Sequence, residues 1–161
     1  MAKKTAKVLQ AVSPVIQTTI CISVDTAACI AWSQNHPGQY LQGGLYMVDN
    51  QLANGSKYEG GLELLTRCNP GDRVSFFAVP IDPTQGDQVG FSGFNISQGS
   101  VFGSSGYPTA QCPPGSDAPY CNLWVGRAVA GGATTYQPQL VITSNGIDYP
   151  VQWDPFITDQ N

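Results

Sequence analysis

Short apolar segments separated by tight-turn residues recur about every ten residues along this chain, and that spacing restricts the fold more than any other feature. The 161 residues include 18 glycines and 12 prolines, which favour turns and interrupt helices. Between the turns, segments such as residues 19–25 alternate apolar and polar side chains, as half-buried strands do. No segment has the 3.6-residue period of an amphipathic helix. The sequence therefore predicts an all-β protein.

Eight strands follow from this pattern, at residues 19–25, 44–48, 62–66, 73–81, 89–96, 121–130, 134–143 and 147–153. Residues 73–81 are apolar on both faces, which indicates a central strand. Pro70-Gly71 suits a type II turn, while Gly131-Gly132 and Asn145-Gly146 are hairpin signals. We expect an antiparallel β-sandwich of about eight strands with Greek-key or jelly-roll-like connections.

The length fits one domain, which we place at residues 18–161, after an N-terminal arm at residues 1–17. Polar residues and Pro14 interrupt the apolar content of residues 8–20, and no signal-peptide cleavage site follows. No stretch approaches the ~20 apolar residues of a membrane span. The sequence predicts a cytoplasmic protein, or one exported without a classical signal peptide.

Charge is scarce and predominantly negative. Charged residues make up 11% of the chain, against about 25% in an average protein. Beyond Lys3, Lys4 and Lys7, four scattered basic residues face eleven acidic ones. Nucleic-acid binding requires clustered basic residues, so we predict no nucleic-acid partner. Weak charge repulsion favours self-association instead.

No motif indicates catalysis. His36 is the only histidine, it lies in a predicted loop, and Gly103-Ser104-Ser105-Gly106 lacks the spacing of a nucleophile elbow. We therefore predict no enzyme, no cofactor and no metal centre of the zinc type. Calcium stays open as an alternative, because oxygen ligands could come from Asp82 with Asp87 or from Asp49, Asn50 and Asn54.

Aromatic residues in polar loops offer a second hypothesis. Sugars bind flat aromatic faces flanked by hydrogen-bonding groups on loops over a rigid scaffold. The loops at residues 32–43 and 97–120 contain the candidate ligand-binding residues Trp32, Tyr40, Tyr107 and Tyr120. A glycan is accordingly the alternative partner, and a lectin-like module the alternative function.

The five cysteines are an odd number in a chain without an export signal. Cys112 and Cys121 enclose a Pro/Gly-rich loop and could form a disulfide if the flanking segments pair, although a reducing cytosol would keep them as thiols. Cys21, Cys29 and Cys68 are interpreted as small buried apolar residues.

Several segments in order resemble the bacterial AidA/PixA family. They are Val24-Asp25-Thr26, Ser33-Gln34-Asn35, Leu45-Tyr46-Met47-Val48, Gly71-Asp72-Arg73-Val74, Leu123-Trp124-Val125-Gly126-Arg127-Ala128, residues 136–142 and the closing Trp153-Asp154-Pro155-Phe156-Ile157. The chain departs from the family pattern at Ala27, where an acidic residue is common, and in having only two methionines.

The resemblance implies a non-enzymatic protein that self-associates into inclusion bodies, or a quorum-sensing-regulated protein of host interaction. It brings no catalytic or binding residues. The closing motif (Trp153, Asp154, Pro155, Phe156) is interpreted as structural, since Asp154-Pro155 stops the last strand. Phe156 and Ile157 would then fold back over an edge of the sandwich.

Overall fold

The computed structural model describes residues 17–116, 119–129 and 131–159. The predicted arm at residues 1–17 lies outside this part of the chain except for Gln17, as do two residues of the predicted 97–120 loop and the last residue of the predicted strand 121–130. The strands are β1 (Thr18–Val24), β2 (Leu45–Asp49), β3 (Leu65–Cys68), β4 (Arg73–Pro80), β5 (Gln88–Gln98), β6 (Thr109–Ala110), β7 (Leu123–Arg127), β8 (Gly132–Ser144), β9 (Ile147–Gln152) and β10 (Phe156–Asp159). The helix α1 is Thr26–Asn35, and short 3₁₀ turns lie at Leu52–Asn54 and Pro83–Gln85.

The strands form two sheets. Sheet 1 has the order β2-β1-β4-β7-β6, and sheet 2 has the order β3-β10-β8-β5 with β9 also paired to β8. Both sheets are mixed, because β1 pairs with β4 in parallel and β10 pairs with β3 in parallel. The prediction of a purely antiparallel arrangement is wrong. Parallel neighbours need long crossovers, and local alternation contains no information about them.

All eight predicted strands are confirmed, with ends that differ by a few residues. β4 is the middle strand of sheet 1, as its two apolar faces indicated: Val74, Phe76 and Ala78 are fully buried, while Phe77 on the other face is half-buried. The Asn145-Gly146 hairpin is also confirmed. It joins β8 to β9 with positive φ at both residues (50° and 76°), as a type I′ turn requires.

Three local predictions are wrong. The segment at Gly131-Gly132 is no hairpin, because β7 belongs to sheet 1 and β8 to sheet 2. The 97–120 segment is not loop throughout, since β5 continues to Gln98 and β6 pairs with β7. Phe156 and Ile157 do not merely cover an edge. They begin β10, which lies between β3 and β8.

The first residues of the predicted 32–43 loop are helical. Asp25 caps α1 by accepting a hydrogen bond from the Ala28 amide at 3.0 Å, as N-cap aspartates do. Within the helix only Thr26 and Cys29 are buried. The helix therefore has no apolar stripe that would have revealed it in the sequence.

One hydrophobic core is shared by both sheets. The ring of Phe76 in sheet 1 lies 4.8 Å from that of Phe94 and 5.4 Å from that of Tyr136, both in sheet 2. Burial raises the pKa of Tyr136 well above its usual value. Among the described residues, no helix is long and apolar enough to cross a bilayer.

Candidate functional site

A pocket of about 300 Å³ lies between the C-terminal half of α1 and the outer face of sheet 2. The helix ends at the pocket, where the His36 amide donates to the Trp32 carbonyl at 2.8 Å. The Ser33 hydroxyl donates to the Pro150 carbonyl at 3.0 Å and so ties α1 to β9. On the opposite wall, Gln139 of β8 and Gln152 of β9 lie side by side in register.

The pocket wall combines one flat aromatic pair with neutral hydrogen-bonding groups. The Trp32 and His36 rings stack with centroids 4.0 Å apart. Three glutamine side chains, Gln39, Gln139 and Gln152, contribute to the lining, which contains no aspartate, glutamate, lysine or arginine. An uncharged wall with a stacked ring suits a neutral, flat, hydrogen-bonding ligand better than an ion.

Two polar atoms of this wall lack a partner. Trp32 Nε1 and His36 Nδ1 are both buried without a hydrogen bond in the described structure, and an unpaired buried polar atom costs ~1–3 kcal/mol. The serine hydroxyls of the pocket do not supply the missing bonds, since Ser33 donates to Pro150 and Ser92 donates to Gln139. His36 is therefore not arranged here as the base of a serine nucleophile.

The four predicted aromatic residues lie at different places. Trp32 belongs to the pocket. Tyr40 is 41% exposed, and its hydroxyl accepts a hydrogen bond from Gln137 at 2.6 Å, two residues from Gln139 along β8. Tyr107 lines another pocket on sheet 1 and donates to the Phe94 carbonyl.

Tyr120 lies next to neither pocket. Its hydroxyl donates to Asp148 at 2.9 Å, and that hydrogen bond and the negative charge of Asp148 raise the pKa of Tyr120. The Tyr120 backbone crosses directly over Gly90, where a Cβ would lie 2.4 Å from the Tyr120 carbonyl oxygen. The structure thus does not bring Trp32, Tyr107 and Tyr120 together on one binding surface.

The residues of the closing motif are built into the fold. Trp153 is 1% exposed and donates from Nε1 to the Met47 sulfur at 3.0 Å. The Pro155 carbonyl accepts from the Tyr136 amide, and the Phe156 amide donates to the Leu64 carbonyl, both at 3.1 Å. Asp154 is half-buried.

Cys112 and Cys121 are joined by a disulfide in the structure, with Cα atoms 5.5 Å apart. The redox state of this pair in the cell stays a prediction. Among the free cysteines, Cys29 and Cys68 are buried and Cys21 is half-buried. Burial, reinforced by the negative charges of Asp25 and Asp72 respectively, raises the pKa of each buried thiol to about 12.

The loop carboxylates proposed for calcium are engaged in separate turns. Asp82 accepts from the hydroxyl and the amide of Thr84, which lowers its pKa, whereas Asp87 accepts from Thr26 at 2.6 Å. Asp49 Oδ1 accepts from the Gln51 amide at 2.7 Å, while the Asp49 amide donates to the Glu59 carboxylate at 3.0 Å. Desolvation raises the pKa of Glu59. No group of three His, Cys, Asp or Glu residues suited to a metal occurs in the described ranges.

Sequence reasoning missed most of the pocket next to α1. His36 was predicted only to be a loop residue, and the strand glutamines Gln139 and Gln152 were not among the predicted site residues. A signal did exist: Gln137 and Gln139 are polar residues at alternate positions of β8, whose intervening residue Pro138 is buried. That alternation predicts a row of outward-facing polar residues. The row lines a pocket only because α1 packs beside it.

This architecture resembles that of a protein of known structure. Two mixed sheets sharing one core define a mostly β protein of the type seen in the crystal structure of an inclusion body protein, PixA, from Burkholderia cenocepacia J2315. The match has a TM-score of 0.68 at 17% identity and covers 92% of this chain and 99% of that one. The predicted resemblance to PixA is thus confirmed at the level of the fold.

Residues 16–149 match the family described as a domain of unknown function, DUF8788, and the chain belongs to that family. No curated protein matches the sequence at a significant level.

Proposed function

We propose that this protein is a non-enzymatic β-sandwich that self-associates and accumulates in the cytoplasm as inclusions. The observation that carries the proposal is the likeness of fold, over 92% of the chain, to a protein described as an inclusion body protein. In this proposal residues 18–161 form one domain and residues 1–17 an arm. The sandwich is supported by the contacts of Phe76 with Phe94 and Tyr136, which join the two sheets.

The β2 edge of the outer face of sheet 1 supplies a surface for such association. Tyr46 and Val48 on the edge strand β2 are 46% and 44% exposed. In the register of the sheet, Val48 lies beside Cys21, and Cys21 lies beside Phe77. This row contains no charge, so two copies can meet there without electrostatic repulsion, and each buried Å² of apolar surface contributes about 25 cal/mol.

Sedimentation velocity over a range of protein and salt concentrations tests the proposal. We expect the mean mass to rise with concentration and to persist at high salt, because the contact is apolar rather than ionic. Tyr46→Lys with Val48→Lys should reduce association. Ile147→Lys is the matched control, since Ile147 is 55% exposed on the other sheet. A protein that stays monomeric at every concentration would contradict self-association.

Cell biology tests the remaining parts. Fluorescence microscopy of the tagged protein at its native expression level should show discrete cytoplasmic bodies. Regulation by cell density and a role in host contact are further parts of the proposal, motivated by the AidA/PixA resemblance. Transcript levels measured against cell density address the first of these, and a protein expressed equally at all densities contradicts it.

Carbohydrate binding at the pocket next to α1 is the second candidate function. It is favoured by the stacked Trp32 and His36 rings facing a wall of glutamine amides without any charged residue. A glycan array, read with and without Ca²⁺, should give hits that disappear in Trp32→Ala. Tyr58→Ala is the control, because Tyr58 is 67% exposed and lies outside the pocket. An array without hits removes this candidate.

A further inference from the structure

A second pocket, of about 420 Å³, lies on the outer face of sheet 1. Unlike the pocket next to α1, which has no lysine or arginine, it contains positively charged side chains. Two arginines, Arg73 and Arg127, are part of its lining. Every other lining residue is uncharged, and the neutral hydrogen-bonding groups include Ser105, Tyr107, Thr109 and Gln111. The volume falls within the ~300–1,000 Å³ range of small-molecule sites.

The two arginines lie directly opposite each other on neighbouring antiparallel strands. Arg73 of β4 pairs in register with Arg127 of β7, so their side chains leave the same face of the sheet with Cβ atoms ~4.5–5.5 Å apart. Like charges at such a position destabilise a sheet. A fold that keeps them there, with no carboxylate in the lining, leaves the pair without a counter-charge inside the pocket.

Among the described residues, the carboxylate next in sequence to the pair is engaged elsewhere. Asp72 precedes Arg73, but its Oδ2 accepts hydrogen bonds from Thr18 and from the Asn69 amide. Arg73 Nε is buried without a hydrogen-bond partner in the described structure. Arg127 Nε donates only to a backbone carbonyl, that of Gly71, at 3.3 Å.

The wall around Arg127 is held by close backbone contacts. The Arg127 amide donates to the Gly106 carbonyl at 2.7 Å, and a Cβ at Gly106 would lie 2.0 Å from the Arg127 carbonyl oxygen. The Gly71 amide donates to the Ala128 carbonyl at 2.6 Å. The loops next to the arginines are therefore fixed to β7 and to the residue that follows it, and the pocket is preformed.

Basic residues are scarce in this chain, so two arginines at one pocket are unusual. Beyond its first seven residues the chain has four basic residues, Lys57, Arg67, Arg73 and Arg127, against eleven acidic ones. Half of these basic residues meet at one pocket. Guanidinium groups bind carboxylate and phosphate through two parallel hydrogen bonds, so the pair forms a receptor for an oxyanion.

We propose that this pocket binds the oxyanion group, phosphate or carboxylate, of a small polar molecule. Arg73 and Arg127 hold the anion, and the hydroxyl and amide groups of Thr109 and Gln111 bind the uncharged remainder. The inference concerns a different face from the glycan candidate and does not depend on inclusion formation.

Titration of the intact protein with inorganic phosphate at low ionic strength tests the site. In ¹H–¹⁵N spectra the Nε–H resonances of Arg73 and Arg127 should shift saturably. Arg73→Gln and Arg127→Gln should each weaken binding at least about tenfold. Lys57→Gln removes the same charge from an exposed site outside the pocket and should change binding by less than about twofold.

Further variants separate the chemistry from folding and from net charge. Arg127→Lys keeps the charge but loses the planar fork, so it should bind less tightly while its circular dichroism spectrum stays native. Parallel titrations with sulfate and acetate distinguish a tetrahedral from a planar anion, and selective binding of either class supports the site.

Three outcomes overturn the proposal. The first is the absence of any saturable shift in the native protein. The second is equal weakening by Lys57→Gln, which would indicate a general effect of charge. The third is an arginine pair that binds acidic groups of a second copy instead, in which case Arg73→Gln abolishes association and phosphate neither shifts the arginine resonances nor dissociates the oligomer. That third result would support self-association and reject the pocket. If the protein does not associate but still binds phosphate, the pocket is supported and self-association is rejected.

Discussion

Trp153 and Trp32 lie in two regions of the molecule where the same type of side chain has different surroundings. Trp153 is 1% exposed and its indole N–H reaches the Met47 sulfur. Trp32 is half-buried at the wall of a pocket, its ring stacks on His36, and its N–H has no partner in the described structure. The first residue completes the core. The second leaves a buried N–H without a partner in the described structure, at the wall of the candidate pocket.

This difference separates a residue that stabilises the core from one that lines the candidate pocket. A buried ring with its polar atom satisfied gains the full benefit of burial. A half-buried ring with an unsatisfied N–H contributes less to the free energy of unfolding. Substitutions at the two tryptophans should consequently separate folding from ligand binding.

The largest effect is expected at the closing motif. Trp153→Ala should lower the free energy of unfolding by about 3–5 kcal/mol, because it leaves a large cavity in a core shared by both sheets. Urea denaturation measures this, with Trp153→Phe as the control that keeps an aromatic ring. A loss below about 1 kcal/mol would place Trp153 outside the essential core.

The disulfide loop should rank second. Replacing Cys112 and Cys121 together by serine frees a short loop in the unfolded chain, which predicts a loss of about 2–3 kcal/mol. Reduction of the disulfide in the native protein should lower its melting temperature for the same reason. Cys21→Ser is the control, because Cys21 is free and half-buried. An unchanged melting temperature under reducing conditions would show that the bridge does not contribute.

Trp32→Ala should cost less than either, about 1–2 kcal/mol, since the side chain is only half-buried. The same variant should lose any ligand bound at the pocket next to α1. If Trp32→Ala destabilises the protein as much as Trp153→Ala does, the contrast between the two tryptophans is wrong and the pocket wall is part of the core.

The smallest perturbation is chemical labelling of the free thiols. Burial raises the pKa of Cys29 and Cys68 to about 12, so near pH 8 almost none of either thiol is ionised, and the thiolate is the reactive form. A disulfide reagent should label Cys21 rapidly and the other two only after unfolding. Fast labelling of all three in the native protein would contradict the burial of the sheet interior.

The strands were predictable because their signal is local. Val74, Phe76 and Ala78 alternate with Ser75 and Phe77, which directly predicts β4, and the apolar residues on both of its faces predict its central position. β10 escaped prediction because it is four residues long and follows Pro155, which looked like an end. The helix escaped because a single capping residue, Asp25, starts it without an apolar stripe.

Neither pocket could be predicted from the sequence, because both are products of register and of distant contacts. Arg73 and Arg127 are 54 positions apart and meet only because β4 and β7 pair in one particular register. Trp32 faces Gln139 and Gln152 only because α1 is attached to β9 through Ser33 and Pro150. Residue types could nominate candidates such as Tyr107, but not assign them to a common site.

The position of β10 between β3 and β8 has a consequence for how the chain is made. Cys68 of β3 contacts Thr158 of β10 across 90 residues of sequence. While the ribosome synthesises those residues, β3 lacks its strand partner and one edge of the sheet stays open. An unpaired strand edge is a template for another chain. Until residues 156–159 have been synthesised, β3 therefore stays open to pairing with a strand of another chain.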